Sequence, residues 1–131
     1  MTRYGYAHEL SPPAPFVHVT LRCPTTGSQA AGLPAQLDIA ADRTVLPGRV
    51  VEALGLVEDG RALFQGFAGE VIELPVFLVE VRVHDFLPLL TRAALGANEP
   101  HVLLGRDVLN AHRILLDGPQ LALEIERPPA S

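Results

Sequence analysis

Residues 16–23, FVHVTLRC, alternate strictly. Val17, Val19, Leu21 and Cys23 fall on one face of an extended chain, with His18, Thr20 and Arg22 on the other. A period of two marks a strand with one buried face. Twelve Pro and 11 Gly punctuate the 131 residues, so many short elements separated by turns are expected rather than long helices. The chain is 48% apolar and 19% charged, the balance of an ordered domain with a modest core.

Other segments fit the same scheme. Residues 1–14 are expected to form a flexible N-terminal arm, 15–127 the folded domain and 128–131 a C-terminal tail. "PTTGSQAAG" reads as a turn-rich connection. In "LPAQLDIA", Leu33, Ala35, Leu37 and Ile39 share one parity, and Pro34, Gln36 and Asp38 the other. As a strand, this stretch turns Asp38 away from the core-facing row. "PGRVVEALG" predicts a short helix opened by Pro47, with Val50, Val51 and Leu54 on one face and Gly55 at its stop. Two hairpins are expected over residues 56–83, one turning at Asp59-Gly60 and one at "GFAG", residues 66–69. Residues 71–83 are apolar on both parities, as in a strand covered on both faces. A weak strand near 87–94, a short strand "HVLLG", two helical turns in "RDVLNAHR" and a hairpin in "ILLDGPQLALEI" complete the reading. The sum is seven to nine short strands and two short helices, a mostly β barrel-like or sandwich domain.

Charge and special residues exclude several functions. The net charge is −5 and no basic run is present, so a nucleic-acid partner is not expected. The ten basic residues are all Arg, which we read as coding bias. The single Cys, Cys23, ends an apolar row and reads as a buried thiol rather than a nucleophile. The five His, at 8, 18, 84, 101 and 112, show no His-x-x-x-His spacing, so no metal and no cofactor are expected. With no membrane-length apolar run, no membrane partner is expected and the location is read as cytoplasmic.

One acid stands out. Asp38 sits in the run AQLDIAADRTVLP, flanked by Leu37 and Ile39. Burying a carboxylate costs several kcal/mol, on the order set by desolvation, unless its charge is paired or shared. Roughly 65 residues later comes VLLGRDVLN. Together the two stretches resemble the retropepsin-like aspartic proteases, the single-lobed relatives of pepsin. Asp38, Ala41, Asp42, Thr44, Val45, Leu46 and Pro47 match the first family block. Leu103, Leu104 and the Gly105-Arg106-Asp107 motif match the second. The closing hairpin is similar to that of bacterial members.

The resemblance implies a closed β-barrel of acid-protease fold with one or two short helices, acting as a homodimer. Each chain would supply one Asp38 to a pair that shares a proton and activates water against a peptide bond. Its partners would be a second copy of itself and an extended peptide substrate. The active-site loop would be Ile39, Ala40, Ala41, Asp42 and Thr44, with Asp42 a loop-stabilising acid. Ile39 and Ala40 replace the family's Thr/Ser and Gly. Ile39 lacks the hydroxyl that bonds across the dimer axis. Ala40 adds a Cβ where the family brings backbone amides close to the carboxylates, at an expected cost of about 1–2 kcal/mol if φ is positive. Impaired peptidase activity is therefore expected. A non-catalytic peptide-binding or assembly module on the same fold is the alternative. A hairpin carrying Phe64, Gly66, Phe67 and Gly69 would be the flap over substrate; otherwise it is an ordinary hairpin with core aromatics. Gly105, Arg106 and Asp107 are expected to be structural, with Arg106 and Asp107 pairing with each other or across the dimer.

Overall fold

A computed structural model describes residues 1–66 and 68–129. Its elements in chain order are β1 (Thr2–Gly5), β2 (Phe16–Arg22), β3 (Gln29–Leu37), β4 (Val45–Pro47), α1 (Gly48–Leu54), β5 (Glu58–Gln65), β6 (Val71–Val83), β7 (Leu89–Gly96), β8 (Val102–Leu104), α2 (Arg106–Leu109), β9 (Arg113–Asp117) and β10 (Ala122–Glu126). Seven strands form one sheet in the order β2-β3-β8-β4-β7-β6-β5, and β6 also pairs with β2. That pairing, from Val19 opposite Val83 to Arg22 opposite Glu80, closes six strands into a barrel and leaves β5 outside it. A second, antiparallel sheet has the order β1-β10-β9.

The alternating row of β2 lines the barrel. Val17, Val19, Leu21 and Cys23 are buried with Val79, Val81 and Val83 of β6, Leu46, Val102 and Leu104. Leu123 and Ile125 of β10 join the same core. Helix α1 follows Pro47, whose fixed φ suits a helix start. It ends where Gly55 takes φ +62°. The Gly55 N–H donates to Glu52 O and the Leu56 N–H to Val51 O, both at 3.1 Å, so that the last carbonyls are satisfied.

Several expectations change. The arm expected over residues 1–14 carries β1, which pairs with β10 from Thr2–Ile125 to Gly5–Ala122. The connection after Cys23 is shorter than read, because β3 already begins at Gln29. Strand β3 ends at Leu37, so Ile39 leaves the core-facing row and is 53% exposed. Asp59-Gly60 does not turn the chain. Gly60, at φ +100°, lies in an irregularity of the β5–β6 ladder between Glu58 and Arg61. Such a glycine lets a strand bulge and continue. One long hairpin thus replaces the two expected. Strand β6 is not covered throughout: Val71 and Ile72 are 61% and 50% exposed, and regular burial begins at Val76. Its apolar first third projects beyond the barrel. Ten strands and two helices are present among the described residues, and none of those helices is long and apolar enough to cross a membrane.

Candidate active site

Two strands from opposite halves of the chain deliver the site. β3 and β8 pair in parallel, with Ala35 opposite Val102 and Leu37 opposite Leu104. Parallel strands end on the same side, so Asp38 and Gly105 emerge next to each other. The Asp38 N–H extends the ladder by donating to Leu104 O at 2.9 Å. Asp38 itself is partly buried. Its carbonyl accepts the Ala41 N–H at 3.1 Å, which folds residues 38–41 into a tight turn.

Arg106 holds this turn from the other half. Its guanidinium nitrogen Nη1 donates to Ile39 O at 2.8 Å and to Ala40 O at 2.9 Å, and its N–H donates to Ala41 O at 2.9 Å. Three successive carbonyls of the acid loop are thereby bound to one residue. Ala40 does not carry the backbone strain considered for it. Among described non-glycine residues only His84 and Leu121 have positive φ, so that cost does not arise.

Asp107 does a different job from its neighbour. Its Oδ1 accepts the Thr44 hydroxyl at 2.8 Å and the Thr44 N–H at 3.0 Å. The same oxygen accepts the Val108 N–H at 3.0 Å, and Oδ2 accepts the Thr91 hydroxyl at 2.6 Å. Thr44 is fully buried, and its Oγ1 in turn accepts the Gly105 N–H at 3.1 Å. A carboxylate satisfied this way anchors both loops. Arg106 and Asp107 therefore reach toward the acid loop and the barrel instead of toward each other. Gly105 permits the close approach. A Cβ there would lie 2.5 Å from Arg43 C and 2.7 Å from Arg43 O, although φ is an ordinary −88°.

A cleft of about 440 Å³ opens beside the acid loop, lined by Ala40–Arg43, Val45 and Arg106 on one wall and Leu63, Phe64 and Gln65 of β5 on the other. Asp42 is exposed there, and the hydrogen bonds that stabilise the loop come from Arg106. At the tip of the β5–β6 hairpin, the Gly66 N–H donates to Glu70 O at 2.9 Å and the Gly69 N–H to Gly66 O at 3.1 Å. Gly69 takes φ +83°, open to glycine without penalty. Phe67 lies outside the described residues. Sequence reasoning missed Thr91, which has no distinguishing pattern in "LLTRAAL". It also missed that Arg106 would bind main-chain carbonyls, which no side-chain motif encodes.

The fold has known counterparts. The chain is similar to the EIAV protease complexed with the inhibitor HBY-793, with 23% identity and a TM-score of 0.53 over 74% of this chain and 86% of that one. It is similar also to the retroviral protease-like domain of Ddi1 from Leishmania major, with 16% identity and a TM-score of 0.51 over 86% of this chain and 90% of that one. The protein has the retropepsin-like fold of these structures. No family model matches the sequence, and no curated protein does.

Proposed function

We propose that this protein is a homologue of the retropepsin-like aspartic endopeptidases, and that it works as a homodimer with one Asp38 from each chain. The carrying observation is Asp38 at the end of β3, its N–H bonded to β8, opening the acid loop whose Ala40–Arg43 line a cleft walled by a long hairpin. One carboxylate cannot serve as both base and proton donor, whereas a pair sharing a proton supplies both. Water between the two would attack a peptide carbonyl that the protonated acid polarises. The hairpin tip, with Gly66 and Gly69 around its turn, would act as the flap that closes over an extended peptide. Phe64, on the cleft wall, would contact that peptide.

Catalysis is expected to be weak. Ile39 offers no hydroxyl to lock the two loops across the axis, and a misplacement of about 1 Å can cost ~10²-fold in rate. The test is hydrolysis of an unstructured peptide at acid pH, with a pepstatin-like inhibitor as control. The double variant Ile39→Thr with Ala40→Gly should cleave faster than the native chain, and Asp38→Asn should abolish cleavage in both. A native chain that cleaves as fast as the double variant overturns the impairment. Cleavage that survives Asp38→Asn overturns the shared acid.

Exposed Ile39 and the exposed Leu63 on the cleft wall favour a second reading, a module that holds an extended peptide without cutting it. Peptide binding unchanged by Asp38→Asn, without hydrolysis by any variant, would support it.

A further inference from the structure

We infer that the cleft beside the acid loop selects peptides carrying an acidic side chain, and that Arg43 is the residue that reads it. The extended peptide as occupant rests on the proposed function; the charge of that peptide is the new element. The two cleft walls differ in kind. Leu63, Phe64 and Gln65 on β5 carry no charge, whereas the facing wall holds Asp42, Arg43 and Arg106. Two guanidinium groups thus stand against one carboxylate, in a chain whose net charge is −5. Arginine stays charged at any working pH, so this local excess of positive charge is permanent.

Neither cation is neutralised from within the chain. Among the described residues, neither Arg43 nor Arg106 makes an ion pair. Arg106 is committed to main-chain carbonyls, its Nη1 shared between Ile39 O and Ala40 O. Arg43 is held at one atom, where Nη1 donates to Arg92 O at 2.9 Å. A neutral carbonyl fixes a guanidinium in place without cancelling its charge. Acids on adjoining elements are engaged elsewhere. Asp59 pairs with the Arg92 side chain at 2.7 Å, and both oxygens of Asp107 accept bonds from Thr44, Thr91 and Val108.

What stays free on Arg43 is a matched edge. With Nη1 held, Nε–H and Nη2–H have no acceptor among the described residues. These two donors lie side by side on one edge of the planar group, the edge that binds both oxygens of a carboxylate in parallel. A Gln amide offers that edge one oxygen, and a Lys ammonium is repelled by it. Arg43 is half-buried, so solvent screens the pair less than it would on an open surface. Side chains of an extended peptide alternate in direction. One can therefore reach Arg43 while the next rests on Leu63 or Phe64 of the uncharged wall.

Peptides on one Ala/Leu/Ser frame, with a single Glu, Gln or Lys stepped along it, test the inference by fluorescence anisotropy at neutral pH and low salt. They are bound to the native chain and to Asp38→Asn, which keeps the peptide intact. At one position of the frame the Glu peptide should bind about tenfold or more tighter than the Gln peptide, and the Lys peptide weakest. Arg43→Gln should bring the Glu and Gln peptides to within about twofold of each other, and Arg43→Glu should place Lys above Glu. Each comparison is made within one variant, so partial misfolding cancels. Arg49 is the control, since its guanidinium binds Pro100 O at 2.6 Å outside the cleft; Arg49→Gln should leave the preference unchanged. Equal binding of the Glu and Gln peptides by the native chain overturns the inference. So does a preference that survives Arg43→Gln, or a failure of every peptide to bind. A preference lost in Arg43→Gln, with no hydrolysis even after Ile39→Thr and Ala40→Gly, upholds the acidic selection and overturns the shared acid. Hydrolysis that needs Asp38 but is blind to Glu does the reverse.

Discussion

At Asp107 one carboxylate replaces water for four donors: two from Thr44, one from Thr91 and one from Val108. Its removal strands buried groups, and hydrogen bonds to a charged acceptor contribute about 1.5–3 kcal/mol each. Asp107→Ala is therefore expected to lower unfolding stability by about 3 kcal/mol or more. Asp107→Asn, which keeps one acceptor oxygen, should lose less than half of that. Urea unfolding of the two variants measures the difference. Gly105 is fixed by space instead of by φ. A methyl group at 2.5 Å from the Arg43 backbone forces the acid loop to move, so Gly105→Ala should cost about 1–3 kcal/mol, read by the same unfolding curves.

The β5–β6 hairpin shows how one element can be both core and appendage. From Phe77 onward β6 alternates buried and half-buried residues inside the barrel. Before that it carries only β5, and Leu63, Val71 and Ile72 are exposed on the projecting part. A two-stranded ribbon without a core behind it is weakly held. Amide hydrogen exchange should therefore be fast in residues 62–66 and 68–73 and slow in 76–83, with a boundary near Pro75. Equal protection on both sides would show that the arm is part of the barrel's cooperative unit. Arg106 acts at the same scale, tying the end of β8 to the turn after β3 through three carbonyls. Lysine carries a point charge without the fork geometry. Arg106→Lys should therefore loosen residues 38–41 in exchange measurements while leaving the barrel strands protected.

Acid affects the whole molecule through two groups that shift the same way. Burial holds His112 below its ordinary value, with Arg127 adding to the effect against the opposing bond to Val108. Its Nδ1–H donates to Val108 O at 2.9 Å, and its Nε2 is buried without a partner. Hydrogen bonds to Thr25 and Thr26 bring the Cys23 thiol down to about 6 from 9.0. For each group the folded state binds protons less readily than the unfolded chain. Stability is thus fully present above the unfolded values and declines as pH falls, from about 9 to 6 for Cys23 and below about 6.5 for His112. Melting temperature should rise with pH from 5 to 9. His112→Gln should flatten the acid limb, and Cys23→Ser the alkaline one. The proposed chemistry needs one proton on an acid pair, so the pH of best cleavage is expected to fall below the pH of greatest stability.

Local physics made much of this legible in the sequence. The alternation of residues 16–23, the Pro47 and Gly55 bounds of α1 and the closing hairpin depend on neighbours a few residues apart, and they fold as read. The order Asp38, Thr44, Gly105, Asp107 was readable as a pattern of residue types. What each of them touches was not. The Asp59-Gly60 turn became a bulge because a long β6 was available to keep pairing with β5. The apolar start of β6 projects outward because its cover is only a single strand. Arg106 binds carbonyls because the parallel β3–β8 pair joins segments about 65 residues apart, and Thr91 serves Asp107 because β7 packs against α2. Local composition sets which segments extend and which turn. Which distant segments meet is decided by closing one barrel around one core, and only then does Asp38 acquire its neighbours.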